Sequence, residues 1–168
     1  MSEKGAPTLW APWRMEYIRA PKEEGCVFCR AAAEGRDREN LVVHRGRAVL
    51  ALLNRYPYTS GHLLVVPRRH VAAVEELTGD ESGELWATLV RCKRAMDALL
   101  EPQGYNVGLN LGKAAGAGID AHLHLHVVPR WLGDTNFMPV LGDVRVVSQH
   151  LLEMHDLLSE KLSAASEA

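Results

Sequence analysis

Cysteine is scarce in this chain, and no stretch is apolar over the length of a membrane span. The 168 residues include three cysteines, a number that does not suit a framework of disulfide bonds and fits a reducing compartment. The first residues also lack the apolar segment of a secretory signal. We therefore expect a cytoplasmic protein without a membrane partner.

An excess of positive charge is missing as well. The formal net charge is −2 at pH 7, whereas proteins that coat nucleic acid usually carry a clearly basic surface. We therefore expect no nucleic-acid partner, and an anionic ligand would need a local site. Hydrophobic residues make up 47% of the chain, which is enough for the core of one compact domain.

Apolar patterning predicts five short strands and two helices. The strands are expected at Leu41–His44, Ala48–Leu53, Leu63–Pro67, Tyr105–Leu111 and Leu123–Pro129. Thr78-Gly-Asp-Glu81 fits a capping box, and apolar residues, among them Cys92, then recur at helical spacing. A second helix is expected from about Gln149 to Leu162. This order predicts an α+β fold with a mostly antiparallel sheet.

Three segments are expected along the chain. Residues 1–25 contain Trp10 and Trp13 and should form an arm that packs on the domain or on a partner subunit. Residues 26–140 should form the main domain. Residues 141–168 should form the C-terminal helix and a frayed tail.

The most informative stretch is His122-Leu-His124-Leu-His126. Side chains alternate between the two faces of a strand, so the three imidazoles should share one face, roughly 6.6 Å apart. One histidine would be read as a polar surface residue, but three in strict alternation with leucines predict a functional site. A neutral imidazole can attack phosphorus, or His-x-His can bind zinc that activates water. The spacing alone leaves both open.

A glycine-rich segment precedes the histidines and could bind phosphate. It offers backbone N–H groups near Gly116 and Gly118 and the side chains of Asn110 and Lys113. It lacks the Gly-x-x-x-x-Gly-Lys-Ser/Thr pattern of Walker-type loops. In isolation such a segment is more often an ordinary flexible loop, and its place before the histidines makes it a candidate.

Cys26-Val-Phe-Cys29 is a second constellation. A Cys-x-x-Cys pair can be a redox dithiol, usually at the start of a helix in a βαβ unit, which is not apparent here. It can also be half of a tetrahedral zinc site that takes two ligands from elsewhere.

The segment from His122 to Val128 resembles the His-φ-His-φ-His-φ-φ signature of the histidine triad (HIT) family, where φ is apolar. Asn54 to Pro67 is similar to the nucleoside-binding hairpin of that family. The resemblance covers about Cys26 to Trp131. The arm around Trp10 and the residues after Pro129 look most like the bacterial branch that includes diadenosine tetraphosphate phosphorylases.

The resemblance implies a HIT-like fold, with a five-stranded sheet, one long helix, a C-terminal helix and a homodimer. It also implies a dinucleoside polyphosphate substrate, cleaved through a covalent histidine–AMP adduct on His124. His126 would contact phosphate or the leaving group, Asn110 the α-phosphate and Asn54 the ribose. His62 and Trp131, together with the glycine-rich segment, would complete the substrate site.

Similar proteins complete a structural zinc site with a histidine before the long helix and with the first triad histidine. The matching ligands here are Cys26, Cys29, His70 and His122. Zinc held by four protein groups would leave His124 free. No organic cofactor is expected.

One departure from the family is clear: Gly116-Ala117-Gly118 stands where many family hydrolases have Gly-Gln-Ser or Gly-Gln-Thr. The missing side-chain donors leave phosphate as a credible acceptor beside water. Four hypotheses therefore stay open: a phosphorylase, a hydrolase or phosphoramidase, a non-catalytic nucleotide-binding protein, and a zinc hydrolase that uses the triad as ligands.

Overall fold

The computed structural model describes residues 25–134 and 150–164. Residues 1–24 of the expected arm, residues 135–149 and the end of the tail lie outside the described residues, and the division into three segments stays a prediction. Within the described part, no helix is both long and apolar enough to cross a membrane.

Four helices and five strands make up the described chain. The helices are α1 (Val27–Ala33), α2 (Asp37–Asn40), α3 (Gly79–Leu100) and α4 (Leu151–Ala164). The strands are β1 (Val42–Arg45), β2 (Val49–Leu53), β3 (Leu63–Pro67), β4 (Gly104–Leu109) and β5 (Leu125–Arg130). Short 3-10 turns lie at Val74–Glu76 and Lys113–Ala115.

The strands form one sheet in the order β1-β2-β3-β5-β4, and every neighbouring pair is antiparallel. This confirms the expected fold class. Alternate residues of β2 and β3 face two separate apolar clusters. The larger cluster lies under α3 and α4, and the smaller one under α1. The sheet is therefore covered on both faces, and the histidines lie on the α1 face.

The long helix forms as the sequence predicts. Thr78 Oγ1 accepts the backbone N–H of Glu81, and the Glu81 carboxylate accepts the N–H of Thr78. Cys92 is fully buried in the larger cluster, where burial raises the pKa of its thiol to about 12. Cys92 is thus a packing residue, as its spacing predicts.

The sequence predicts a strand at Leu123–Pro129 whose histidines share one face, but the observed strand begins two residues later. β5 begins at Leu125, so only His126 of the three belongs to the ladder. Upstream of it, the N–H of Leu123 donates to the carbonyl of Val71 instead of to a strand partner. This hydrogen bond joins residues that are far apart in the sequence, so the local pattern of residues 122–126 could not predict it. Because of it, the chain is not yet part of the strand at Leu123.

The connection between β2 and β3 is fixed at several points. The Asn54 N–H donates to the carbonyl of His62, and Thr59 Oγ1 donates to the carbonyl of Pro129. Gly61 has φ +77°, and a Cβ added there would lie 2.7 Å from Cδ1 of Leu100. A larger residue would therefore be strained in conformation and would clash with α3.

Candidate active site and metal centre

His122 links two parts of the site through separate groups. Its ring Nε2 donates to the carbonyl of Pro67 at the end of β3, at 2.9 Å. Since a carbonyl only accepts, Nε2 carries the ring proton and Nδ1 keeps its lone pair. That lone pair faces Sγ of Cys26 at 3.2 Å and Sγ of Cys29 at 3.6 Å. The backbone carbonyl of His122 accepts Nδ1–H of His124 at 2.9 Å.

His124 is thereby held in one tautomer. Its Nδ1 carries the proton, so Nε2 has an unshared lone pair when the ring is neutral. His124 is only 7% exposed, and burial lowers the pKa of its imidazole below 6.5, opposed in part by the bond to His122. Near pH 7 the ring is neutral, and it presents a nucleophilic nitrogen.

Phe28, between the two cysteines, packs against both of these rings. Its centroid lies 5.2 Å from that of His122 and 5.4 Å from that of His124. Phe28 is buried together with β2 and β3 side chains of the smaller cluster. The cysteine segment and the neighbouring histidines therefore form one packed unit.

His62 sets the proton on His126 in the same way. The backbone N–H of Tyr58 donates to Nδ1 of His62 at 3.1 Å, so the proton of the neutral ring is on Nε2. That Nε2–H donates to Nδ1 of His126 at 3.0 Å. His126 consequently carries its own proton on Nε2, so the amide nitrogen of Asn110, 3.5 Å away, is a second donor beside it and not its hydrogen-bond partner.

Burial keeps these two rings neutral as well. Burial, followed by the repulsion of His126 and His124, lowers the pKa of His62 to about 3. Burial and then His124 lower the pKa of His126 to about 4. Each ring would be protonated only as the pH falls toward its lowered pKa, so at pH 7 both are neutral.

The structure brings Cys26, Cys29, His70 and His122 together as one potential metal site. One ligand atom from each lies within 4.8 Å of all the others, and His70 Nδ1 is 3.2 Å from Sγ of Cys29. A tetrahedral zinc ion with typical bond lengths needs ligand atoms about 3.4 to 3.8 Å apart. The residues fit such an ion, and four protein ligands would leave no open position on it.

The chemistry of the donors also fits a cation. Burial and the neighbouring Cys26 raise the pKa of the Cys29 thiol. A bound cation favours the thiolate and would reverse that shift. The redox alternative has only part of its usual setting, because Cys26 is the N-cap of α1 and Cys29 lies in its first turn, but the sheet within the described residues has no parallel βαβ unit.

A zinc site made of the three triad histidines does not fit this geometry. One nitrogen of His122 faces the cysteines and the other faces the carbonyl of Pro67. Neither nitrogen is left to share an ion with His124 and His126. Within the residues that the structure describes, the four-residue Cys/His group is the cluster suited to a metal.

Other predicted contacts lie around these rings. Lys113 is largely exposed, with Nζ 3.7 Å from Oδ2 of Asp120. Gly116 ends the 3-10 turn with φ +81°. Oδ1 of Asn54 accepts the N–H of Tyr56, and Trp131 Nε1 donates to the carbonyl of Leu100. The substrate contacts of Lys113, Gly116, Gly118 and Trp131 stay predictions.

Comparison with known proteins now identifies the family. The sequence profile of the HIT domain matches residues 36–131. The chain belongs to the HIT family. Its triad is His122, His124 and His126, of which the last lies on β5 and the first two precede it.

Relatives extend the similarity beyond the HIT domain itself. A Mycobacterium tuberculosis protein named AP-4-A phosphorylase is 44% identical in an alignment 159 residues long that covers 90% of this chain and 82% of that protein. A Dictyostelium discoideum bis(5'-adenosyl)-triphosphatase is 35% identical over 80 residues, which are 48% of this chain and 53% of the relative.

A solved structure shares the fold. A zinc-bound histidine triad family protein from Mycobacterium smegmatis superposes with a TM-score of 0.67 at 28% identity. The similarity covers 85% of this chain and 96% of that one. The five-stranded HIT-like architecture is therefore shared with a crystallographically known protein.

Sequence reasoning missed two aromatic residues of this HIT site. The Cys-x-x-Cys pattern assigns no role to Phe28, although its ring contacts two triad rings. Tyr58 stacks on His126, with centroids 6.1 Å apart and ring planes 16° from parallel. The sequence signal for each was only its place: Phe28 lies inside the Cys-x-x-Cys motif, and Tyr58 lies inside the hairpin from Asn54 to Pro67.

Proposed function

We propose that this protein is a nucleotidyl transferase of the phosphorylase type, which cleaves dinucleoside polyphosphates such as diadenosine tetraphosphate at the α-phosphate. The observation that carries the proposal is the bond from His124 Nδ1–H to the His122 carbonyl, because it directs an unprotonated Nε2 away from the backbone. The activities for which the M. tuberculosis and D. discoideum relatives are named support the substrate class.

In the first step, Nε2 of His124 attacks the α-phosphorus. A phosphorus–nitrogen bond forms, the bond from phosphorus to the bridging oxygen breaks, and the remaining nucleotide leaves with the electron pair. The product is a histidine–AMP phosphoramidate, which divides one difficult displacement into two easier ones. In the second step phosphate attacks the adduct and releases ADP, while the imidazole returns to its starting tautomer.

His126 serves the departing group in this scheme. Its Nε2–H, fixed by the chain from Tyr58 through His62, donates a hydrogen bond to a phosphate oxygen. A polyphosphate can leave as an anion, so a neutral donor is sufficient and the lowered pKa of His126 is no obstacle. Asn110, 3.5 Å from that nitrogen, is suited to hold the α-phosphate.

The remaining substrate contacts follow from their places around the rings. Gly108 pairs with His126 across the sheet, and a Cβ added to it would meet no atom within 4 Å, so there is space beside the ring. We assign phosphate contacts to Lys113 and to the backbone at Gly116 and Gly118. The exposed ion pair of Lys113 with Asp120 is weak enough to be exchanged for substrate.

The nucleoside side is assigned to Asn54, His62 and Trp131. Asn54 lies 3.4 Å from His62, which brings the proposed ribose contact next to the histidine relay. Trp131 uses its N–H on the carbonyl of Leu100, so it would offer substrate an apolar ring only. Water as acceptor, which would make the protein a hydrolase, is the alternative.

The first prediction concerns the nucleophile. His124→Ala should lower kcat by at least about a thousandfold, because the group that forms the covalent bond is gone. His150→Ala, which changes an exposed histidine ahead of α4, is the matched control and should retain activity. Diadenosine tetraphosphate is the substrate, and circular dichroism verifies that both variants are folded.

Product analysis distinguishes the acceptors in the same assay. With phosphate we expect ADP and ATP, and a reaction quenched early should carry AMP on His124. AMP and ATP as the only products would indicate hydrolysis instead. A His124→Ala protein with a large fraction of wild-type activity would exclude the covalent mechanism.

We further propose that the four-residue Cys/His group binds structural zinc. The support is the fit of its ligand atoms and the zinc in the M. smegmatis family member. Bound zinc would cross-link α1 to the segment before β5. It would take no part in the chemical steps. The His122 ring would then be held at both nitrogens.

Metal analysis tests this assignment. We expect about one zinc per chain by mass spectrometry of the purified protein, and a marked loss of zinc with a lower Tm in Cys29→Ser. Cys92→Ser should retain the metal, since Cys92 lies on the buried face of α3 in the larger apolar cluster. Full zinc content in Cys29→Ser, or none in the zinc-supplied wild type, would refute the site.

A homodimer joined through β4 is the third part of the proposal. In the described sheet β4 pairs on one side only, with β5, and Asn106, Val107 and Gly108 of this strand are exposed. The opposite edge is covered, because α4 packs on β1 and His155 Nε2 bonds to the carbonyl of Val42. An open edge of this kind pairs readily with a second copy about a twofold axis.

Light scattering tests the dimer. Wild-type protein should have twice the 18.6 kDa mass of one chain, and Val107→Lys should shift the population toward that single-chain mass at micromolar concentration. Leu157→Lys, at an exposed apolar position on α4, is the control and should stay dimeric. A monomeric wild type, or a variant Val107→Lys with unchanged mass, would count against pairing through β4.

A further inference from the structure

The rings around the nucleophile form an aromatic row, which we define as Phe28, His124, His126 and Tyr58. Successive centroids are 5.4 Å, 4.9 Å and 6.1 Å apart. The nucleophile thus lies inside the row, and each end of the row is a carbocyclic aromatic ring.

The two ends of the aromatic row differ in exposure. Phe28 is 2% exposed and is covered by the smaller apolar cluster. Tyr58 is 40% exposed, and its ring also lies against His62, with centroids 4.6 Å apart. Only the Tyr58 end offers an aromatic surface that a ligand can reach without displacing core residues.

The Tyr58 end is also the side of the departing group. In an in-line displacement the leaving group departs opposite the attacking nitrogen. The proposed donor to that group is His126, which lies between His124 and Tyr58 in the aromatic row. A polyphosphate that leaves past His126 therefore comes next to the ring of Tyr58.

The loop that carries Tyr58 is already ordered. Its N–H is bonded to His62, the next residue Thr59 is bonded to Pro129, and the Tyr56 N–H is bonded to Asn54. A tyrosine held on such a loop can stack on a ligand with little further loss of conformational entropy. The exposed ring is therefore preorganised for contact.

We propose that Tyr58 forms a subsite for the departing nucleoside, whose base stacks on the exposed ring. This inference rests on the proposed function. It adds that the enzyme prefers polyphosphates with a nucleoside at both ends over those with a nucleoside at one end. Stacking of a base on an aromatic ring tightens binding about tenfold or more.

Two matched substrates test the subsite. Diadenosine tetraphosphate and adenosine 5′-tetraphosphate have the same phosphate chain, and only the first has a second nucleoside. Wild-type kcat/KM should be about tenfold higher for the first. Tyr58→Ala should remove that preference mainly by raising KM for diadenosine tetraphosphate, so that the variant cleaves the two substrates with similar kcat/KM.

The control variants separate stacking from packing. Tyr58→Phe keeps the ring and should keep the preference, whereas Tyr58→Leu fills space beside His62 without a ring and should lose it. Tyr56→Ala, an exposed tyrosine on the same loop, should retain the preference. Tyr58→Leu serves in place of Tyr58→Ala if the latter does not fold.

The outcomes are distinct. Equal loss on both substrates would mean that Tyr58 acts on the histidine relay, and an unchanged preference would mean that the base binds elsewhere; either result overturns the subsite. If the wild type cleaves diadenosine tetraphosphate but shows no preference, the subsite fails while the proposed function stands. A wild type that cleaves neither substrate contradicts both.

Discussion

The bonds made by His122 are the constraint on which the candidate site depends. Its ring is held between the carbonyl of Pro67 and the two cysteine sulfurs, and its own carbonyl holds the ring of His124. His122 therefore contributes its side chain to the potential metal site and its backbone carbonyl to the positioning of the nucleophile His124. The position of His122 thus constrains both the potential metal site and the ring of His124.

Backbone groups, and not carboxylates, set the tautomers in this site. The carbonyl of His122 fixes His124, and the N–H of Tyr58 fixes His62 and, through it, His126. Burial lowers the pKa values of these rings, so the fixed protons belong to neutral imidazoles. One ring then offers a lone pair and another offers an N–H, which is the division that displacement at phosphorus requires.

Local pattern predicts the five strands and the two longer helices, but it misses the short helices α1 and α2 and does not fix the ends of the elements. The capping box, the long helix and the five strands follow from motif and periodicity, whereas the grouping of Cys26 and Cys29 with His70 and His122 is expected only from the resemblance to the family. The start of β5 depends on the bond between Leu123 and Val71, which are far apart in sequence. The contacts of Phe28 and Tyr58 likewise arise only when distant segments meet.

The proton positions on the rings test the account most directly. Long-range ¹H–¹⁵N correlation spectra at pH 7 distinguish protonated from unprotonated ring nitrogens, and assigned spectra would report His124 and His126 separately. The account predicts a neutral His124 with its proton on Nδ1 and a neutral His126 with its proton on Nε2. A His124 ring that is protonated on Nε2, or on both nitrogens, would contradict it.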